Sequence, residues 1–126
     1  CDAVDEKYLD VYASDDCGQS WQHLSRPDDT HGSNPPAMIR LADGRICLTY
    51  GHCEEPYGMC TRLSEDNGAT WGEEIVLRDD AGTADLGYPR SVQRPAGKIL
   101  TVYYYNDPPT DNEITERYIG STIWEA

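Results

Sequence analysis

Ser64-Glu65-Asp66-Asn67-Gly68-Ala69-Thr70-Trp71 decides the fold, because the chain carries the same pattern earlier as Ser14-Asp15-Asp16-Cys17-Gly18-Gln19-Ser20-Trp21. Both stretches read S-x-D-x-G-x-[ST]-W, and they start 50 residues apart. A second register pairs Pro36 with Pro89, Gly44 with Gly97, Ile46 with Ile99, Tyr50 with Tyr103 and Pro56 with Pro109, each 53 residues apart. Two independent registers that nearly coincide mark one repeated unit of about 50 residues.

Within a unit the pattern is strands and tight turns. Ala37, Ile39 and Leu41 alternate with Met38 and Arg40, the period of two that a half-buried strand shows. Asp43-Gly44 supplies the positive φ of a tight hairpin, and residues 46–50 return as a second strand. A loop through Glu54-Glu55-Pro56 leads to a third strand near residues 58–63. The box then turns the chain into a fourth strand, predicted over residues 74–77. No segment carries helical periodicity with caps. Four antiparallel strands in a unit of this length describe one blade of a β-propeller.

With the strands of a blade lettered A to D, the chain reads C-D, then A-B-C-D, then A-B-C. The expected fold is therefore all-β, a partial propeller of about two and a half four-stranded blades. The half blade covers residues 1–26, the full blade 34–78 and the last blade 87–126. Propellers close with about four or more blades, so the ring is expected to be incomplete. Its open edges and blade flanks predict a homo-oligomer.

The chain has 126 residues, 38% of them hydrophobic, enough for one modest core. Asp and Glu number 23 against 10 Lys and Arg, a net charge of -13. That field repels phosphate backbones and anionic membranes, so neither nucleic acid nor membrane is an expected partner. An anionic sugar would need local arginines. No stretch holds the roughly 20 apolar residues of a membrane helix, and the chain opens at Cys1 without a leader-like segment. The five cysteines are Cys1, Cys17, Cys47, Cys53 and Cys60, with no metal-site spacing. They are expected to be mostly free thiols, with room for one pair and a lean to the cytoplasm. No metal and no cofactor are expected.

The two boxes resemble the Asp-box (BNR) motif of sialidases and related propellers. Residues 85–93, D-L-G-Y-P-R-S-V-Q, followed by residues 97–104, G-K-I-L-T-V-Y-Y, are similar to the C-terminal blade of that family. So are residues 117–124, R-Y-I-G-S-T-I-W. The resemblance spans essentially this whole chain, though only the last part of a full-length member. Asp boxes also occur in proteins that cleave no sugar, so the motif speaks for the propeller more than for activity. Within the boxes, Ser14, Asp16, Gly18, Trp21, Ser64, Asp66, Gly68 and Trp71 read as scaffold. The Asp accepts from the turn's amides, the Gly adopts a conformation other residues resist, and the Trp buries a large face between sheets.

Topology places the A-B turns and both boxes on one face, and the long loops 26–34, 51–57, 79–88 and 105–117 on the other. Long loops on a rigid frame are where sites form. Top-face candidates are His31, Asn34, His52, Glu54, Glu55, Asp85, Tyr88 and Arg90. Tyr88 begins the innermost strand of the last blade, where the resemblance implies a tyrosine nucleophile. A neutral phenol is a weak nucleophile and needs a base, for which Asp85 and Glu54 are the candidates. The alternative is a tyrosine packed at a strand start. Arg90 shares the strand face of Tyr88 and suits a bidentate carboxylate contact, or a salt bridge to a neighbouring acid. Asn34, His31 and His52 are further candidates for substrate contact, the histidines alternatively solvated. Tyr103-Tyr104-Tyr105 alternates faces, with Tyr105 at the rim a possible sugar platform.

The resemblance also implies an arginine near the C strand before the final box, and residues 56–61, P-Y-G-M-C-T, lack it. The expected function is a fragment or descendant of a sialidase-like, exo-acting glycoside hydrolase, inactive as this chain alone. The alternative is a non-catalytic carbohydrate-binding or structural propeller module. The expected partner is a sialoside or other glycan.

Overall fold

The computed structural model describes residues 8–28, 35–108 and 116–126. These form nine strands: β1 (Leu9–Ala13), β2 (Gln22–Asp28), β3 (Ala37–Arg40), β4 (Ile46–His52), β5 (Gly58–Ser64), β6 (Ile75–Arg78), β7 (Gly87–Gln93), β8 (Ile99–Asn106) and β9 (Arg117–Trp124). They build three antiparallel sheets, ordered β1-β2, β3-β4-β5-β6 and β7-β8-β9. No helix is present among the described residues, and the architecture is a section of a β-propeller.

Each hairpin has a local cause. At Asp43-Gly44, Gly44 takes φ 93° and donates to the Leu41 carbonyl, while the Leu41 amide donates to the Arg45 carbonyl at 2.8 Å. Gly97 repeats this with φ 90° and a 2.8 Å bond to the Arg94 carbonyl. Glycine is required at both because other side chains resist this backbone conformation. β6 begins one residue later than the sequence pattern predicts and extends through Arg78.

The core lies between sheets. Leu9, Leu48, Tyr50 and Cys60 are buried between the first two, with Trp71 against them. Met59, Leu86, Tyr103 and Tyr105 fill the seam between the second and third. A row of hydroxyls crosses the same seam: Thr49 lies 3.5 Å from Ser91, which lies 2.9 Å from Thr101. Trp124 donates its indole N–H to Thr101 at 3.0 Å, so the row is satisfied where it is buried.

Strand alternation fixes what the third sheet shows to solvent. Ile99, Thr101, Tyr103 and Tyr105 point into the seam and are buried. Val92, Ile119 and Ile123 point the other way and are exposed, Ile119 by 73%. The registers Val92↔Leu100, Leu100↔Ile123 and Tyr104↔Ile119 put these side chains on one face, with Arg90 and Ser121 between Ile119 and the other two.

Cys17, Cys47 and Cys60 are free thiols, and Cys53 is disulfide-bonded, within the mostly free set with room for one pair that the sequence reading expects. Burial pushes the Cys60 thiol up to about 12, and Cys47 shifts the same way, so both are packing groups rather than reactive ones.

Candidate functional site

The two boxes fold alike. Ser64 donates to Asp66 at 2.8 Å and accepts the Gly68 amide at 2.8 Å, while Asp66 accepts the Thr70 amide at 2.8 Å. In the first box Ser14 donates to Asp16 at 2.7 Å, and Asp16 accepts the Ser20 amide at 2.9 Å. The Ser20 hydroxyl, first among several donors, holds the Asp16 carboxyl down to about 2. Thr70 lowers Asp66 in the same way. Each carboxylate is thus consumed by its own turn.

The opposite face centres on the approach to β7. Asn106 is fully buried at the end of β8. Its side-chain oxygen accepts the amides of Gly82 and Thr83 at 3.0 and 2.9 Å, and its NH2 donates to the Asp85 carbonyl at 2.8 Å. Leu86 then anchors the loop in the seam. Between this anchor and the strand, Gly87 takes φ 124° and Tyr88 φ 51°. The register slips by one residue between Gly87 and Arg90, a β-bulge that turns Tyr88 out to 63% exposure. A non-glycine residue at such a φ is held by its surroundings at some cost, and such residues concentrate at functional sites. Asn106 escaped the sequence reading; its only signal was a polar residue closing an aromatic strand.

The candidate side chains around Tyr88 do not converge. The Asp85 carboxylate accepts Arg117 Nε at 2.7 Å and the Tyr104 hydroxyl at 3.5 Å. Glu54 is exposed, and its carbonyl lies 2.9 Å from the His52 ring. Among the described residues the Tyr88 hydroxyl has no hydrogen-bond partner. Arg90 shares the exposed face of Tyr88 and donates to the Pro89 carbonyl at 2.7 Å, with no acidic partner among the described residues. His31 and Asn34 lie outside the described residues. No group of His, Cys, Asp and Glu among the described residues is arranged to hold a metal.

Tyr105 is no rim platform. It is fully buried, its hydroxyl donates to Asp80 at 3.1 Å, and the Arg78 guanidinium lies 4.1 Å above its ring. Burial first, then Asp80, raises its phenol well above the usual range. Arg78 also pairs with Asp80 at 2.6 Å and Asp107 at 3.7 Å, which uses its charge within the seam.

A family model described as a BNR repeat-like domain matches residues 5–101. A crystal structure of a protein of unknown function from Dyadobacter fermentans is similar at 33% identity and TM-score 0.75, over 94% of this chain and 31% of that one. A GH93 α-L-arabinofuranosidase of Fusarium graminearum, solved with arabinobiose, is similar at 18% identity and TM-score 0.65, over 96% of this chain and 38% of that one. The chain therefore spans about a third of the length of these neighbours. No curated protein matches it.

Proposed function

The chain belongs to the BNR repeat-like domain family, and from that membership we propose that it is a glycan-binding section or descendant of a sialidase-like, exo-acting glycoside hydrolase that does not turn over sugar by itself. One observation carries the reading. Tyr88 is presented to solvent on a strained bulge with no base against its hydroxyl among the described residues, while Asp85 is taken up by Arg117. A phenol without a base is a weak nucleophile, but a solvent-facing tyrosine beside an arginine that has no acidic partner among the described residues suits contact with a sugar and its carboxylate.

The test is steady-state release of fluorophore from a sialoside and from an arabinofuranoside, with calorimetric binding of a methyl sialoside and of arabinobiose alongside. Binding without turnover is expected. Turnover abolished by Tyr88→Phe overturns the non-catalytic half and makes Tyr88 the nucleophile; absence of any binding overturns the glycan half.

A second reading, a structural module completed by self-association into a homo-oligomer, is favoured by the exposed apolar face of Val92, Ile119 and Ile123.

A further inference from the structure

Away from Tyr88, a cleft of about 510 Å³ opens on the loop face where the second and third sheets meet. Its lining includes Glu55, Pro56, Tyr57, Asp79, Gly82 and Pro108. The volume falls within the range of small-molecule sites, roughly 300–1,000 Å³.

The walls are fixed. Tyr57 accepts the Ala81 amide on its carbonyl at 3.2 Å, and Asn106 holds the amides of Gly82 and Thr83. A Cβ on Gly82 would stand 2.5 Å from the Asp107 carbonyl oxygen, so the absent side chain lets two loops meet at the cleft. Into this frame project groups with hydrogen-bonding capacity to spare. Glu55 and Asp79 are exposed carboxylates with no ion pair or side-chain hydrogen bond among the described residues, and the Tyr57 hydroxyl is likewise unengaged. Among the described residues no Lys, Arg or His lines the cleft, and Arg78, next to Asp79 in the chain, is held by Asp80 and Asp107.

Such a surface is rich in acceptors, poor in charged donors, and flanked by proline and tyrosine faces. Carboxylates accept strongly from hydroxyl groups, and flat apolar faces suit the C–H side of a sugar ring. Two carboxylates with no cation repel an acidic sugar. We propose that this cleft is a second glycan subsite, separate from Tyr88, that takes an uncharged pentose or hexose unit and rejects a sialic acid. The proposal rests on the glycan-binding reading above and names the class of sugar it would meet here.

Arabinobiose and a methyl sialoside are titrated into the chain under observation by amide NMR and calorimetry. Arabinobiose is expected to shift the resonances of Tyr57 and Gly82, and the sialoside to leave them unmoved. Asp79→Lys with Glu55→Lys, both on exposed side chains, is expected to weaken arabinobiose about tenfold or more, as is Tyr57→Ala. Tyr57 also packs on the seam, so the lysine pair decides if that variant misfolds. Arabinobiose binding that ignores the lysine pair, or binding of the sialoside alone, overturns the subsite and leaves the glycan reading standing. If neither sugar binds, both fall.

Discussion

The Trp71 indole N–H donates to the Ser25 hydroxyl at 3.0 Å, tying the second box to the strand of the preceding sheet. Ser25 passes the bond on to the Gly68 carbonyl of the same box. Trp21 occupies the matching position of the first box, yet its indole bonds the Gly18 carbonyl of its own turn, at 3.2 Å, and is 62% exposed. One repeated residue has two environments because only one copy has a described sheet before it.

From that contrast, Trp71→Ala should destabilise by about 2 kcal/mol or more through lost burial, while Trp21→Ala should stay within about 0.5 kcal/mol. Urea unfolding at low protein concentration checks both. Equal losses would mean that the Trp71 contact contributes nothing beyond its own turn.

The boxes should also respond to acid. Their carboxyls titrate below the unfolded value of about 3.9, Asp16 at about 2 with its serine donors and Asp66 lowered by Thr70. A depressed carboxyl contributes stability that is fully present above about pH 4 and is lost as pH falls toward 2. Asp16→Asn with Asp66→Asn should therefore melt lower than the parent at pH 6, and the gap should close by pH 2. A gap that persists at pH 2 would assign the loss to geometry rather than charge.

Gly58 opens β5 with no room above it: an added Cβ would stand 1.9 Å from the Arg78 carbonyl oxygen. That atom is backbone of the paired strand and cannot swing aside. Gly58→Ala should cost at least about 1–3 kcal/mol, as overpacking does, and loosen β6 first. Hydrogen exchange at Val76 and Arg78 is the readout, and unchanged protection would show that the sheet edge yields freely.

Tyr88 tests strain against packing. The left-handed backbone costs a non-glycine residue about 1–2 kcal/mol, and the exposed ring has little burial to lose. Tyr88→Gly should leave stability unchanged or raise it by up to about 1 kcal/mol, the pattern of a residue kept for contact rather than for the fold. A loss beyond about 1 kcal/mol would make Tyr88 a packing residue.

The repeat made much of this architecture legible. Alternation placed Ile39 inward, and it put Tyr88 and Arg90 on one face. What alternation cannot see is contact across the seam. Tyr105 reads as a rim residue from its own strand, but Arg78 and Leu86, from the preceding linker and strand end, close over it. Asn106 was missed for the same reason, since its partners lie 21 to 24 residues away in a loop without periodicity. The bulge at Tyr88 has no residue signal either, because tyrosine is not a residue that announces a positive φ.

The two flanks predict self-association. The third sheet ends at β9, whose outer edge has no partner strand among the described residues, and the first sheet ends at β1. Open edges are templates for another chain. The outer face of the third sheet adds Val92, Ile119 and Ile123, and the far flank adds Tyr12 and Trp21, all exposed. A contact between one flank and the other is heterologous, and it closes only if the rotation between copies completes a ring. A dimer with abutting terminal sheets is the smallest assembly that covers both flanks at once. Light scattering at micromolar concentration should give twice the 14.1 kDa mass of the chain. Ile119→Lys with Ile123→Lys, both solvent-facing in one copy, should return it to a folded monomer by placing charges against the apolar flank of the next copy. Trp21 fluorescence should shift to the red in that variant as its flank is uncovered. A parent chain that stays monomeric across this range, with cooperative melting, would show that three sheets with open flanks stand on their own.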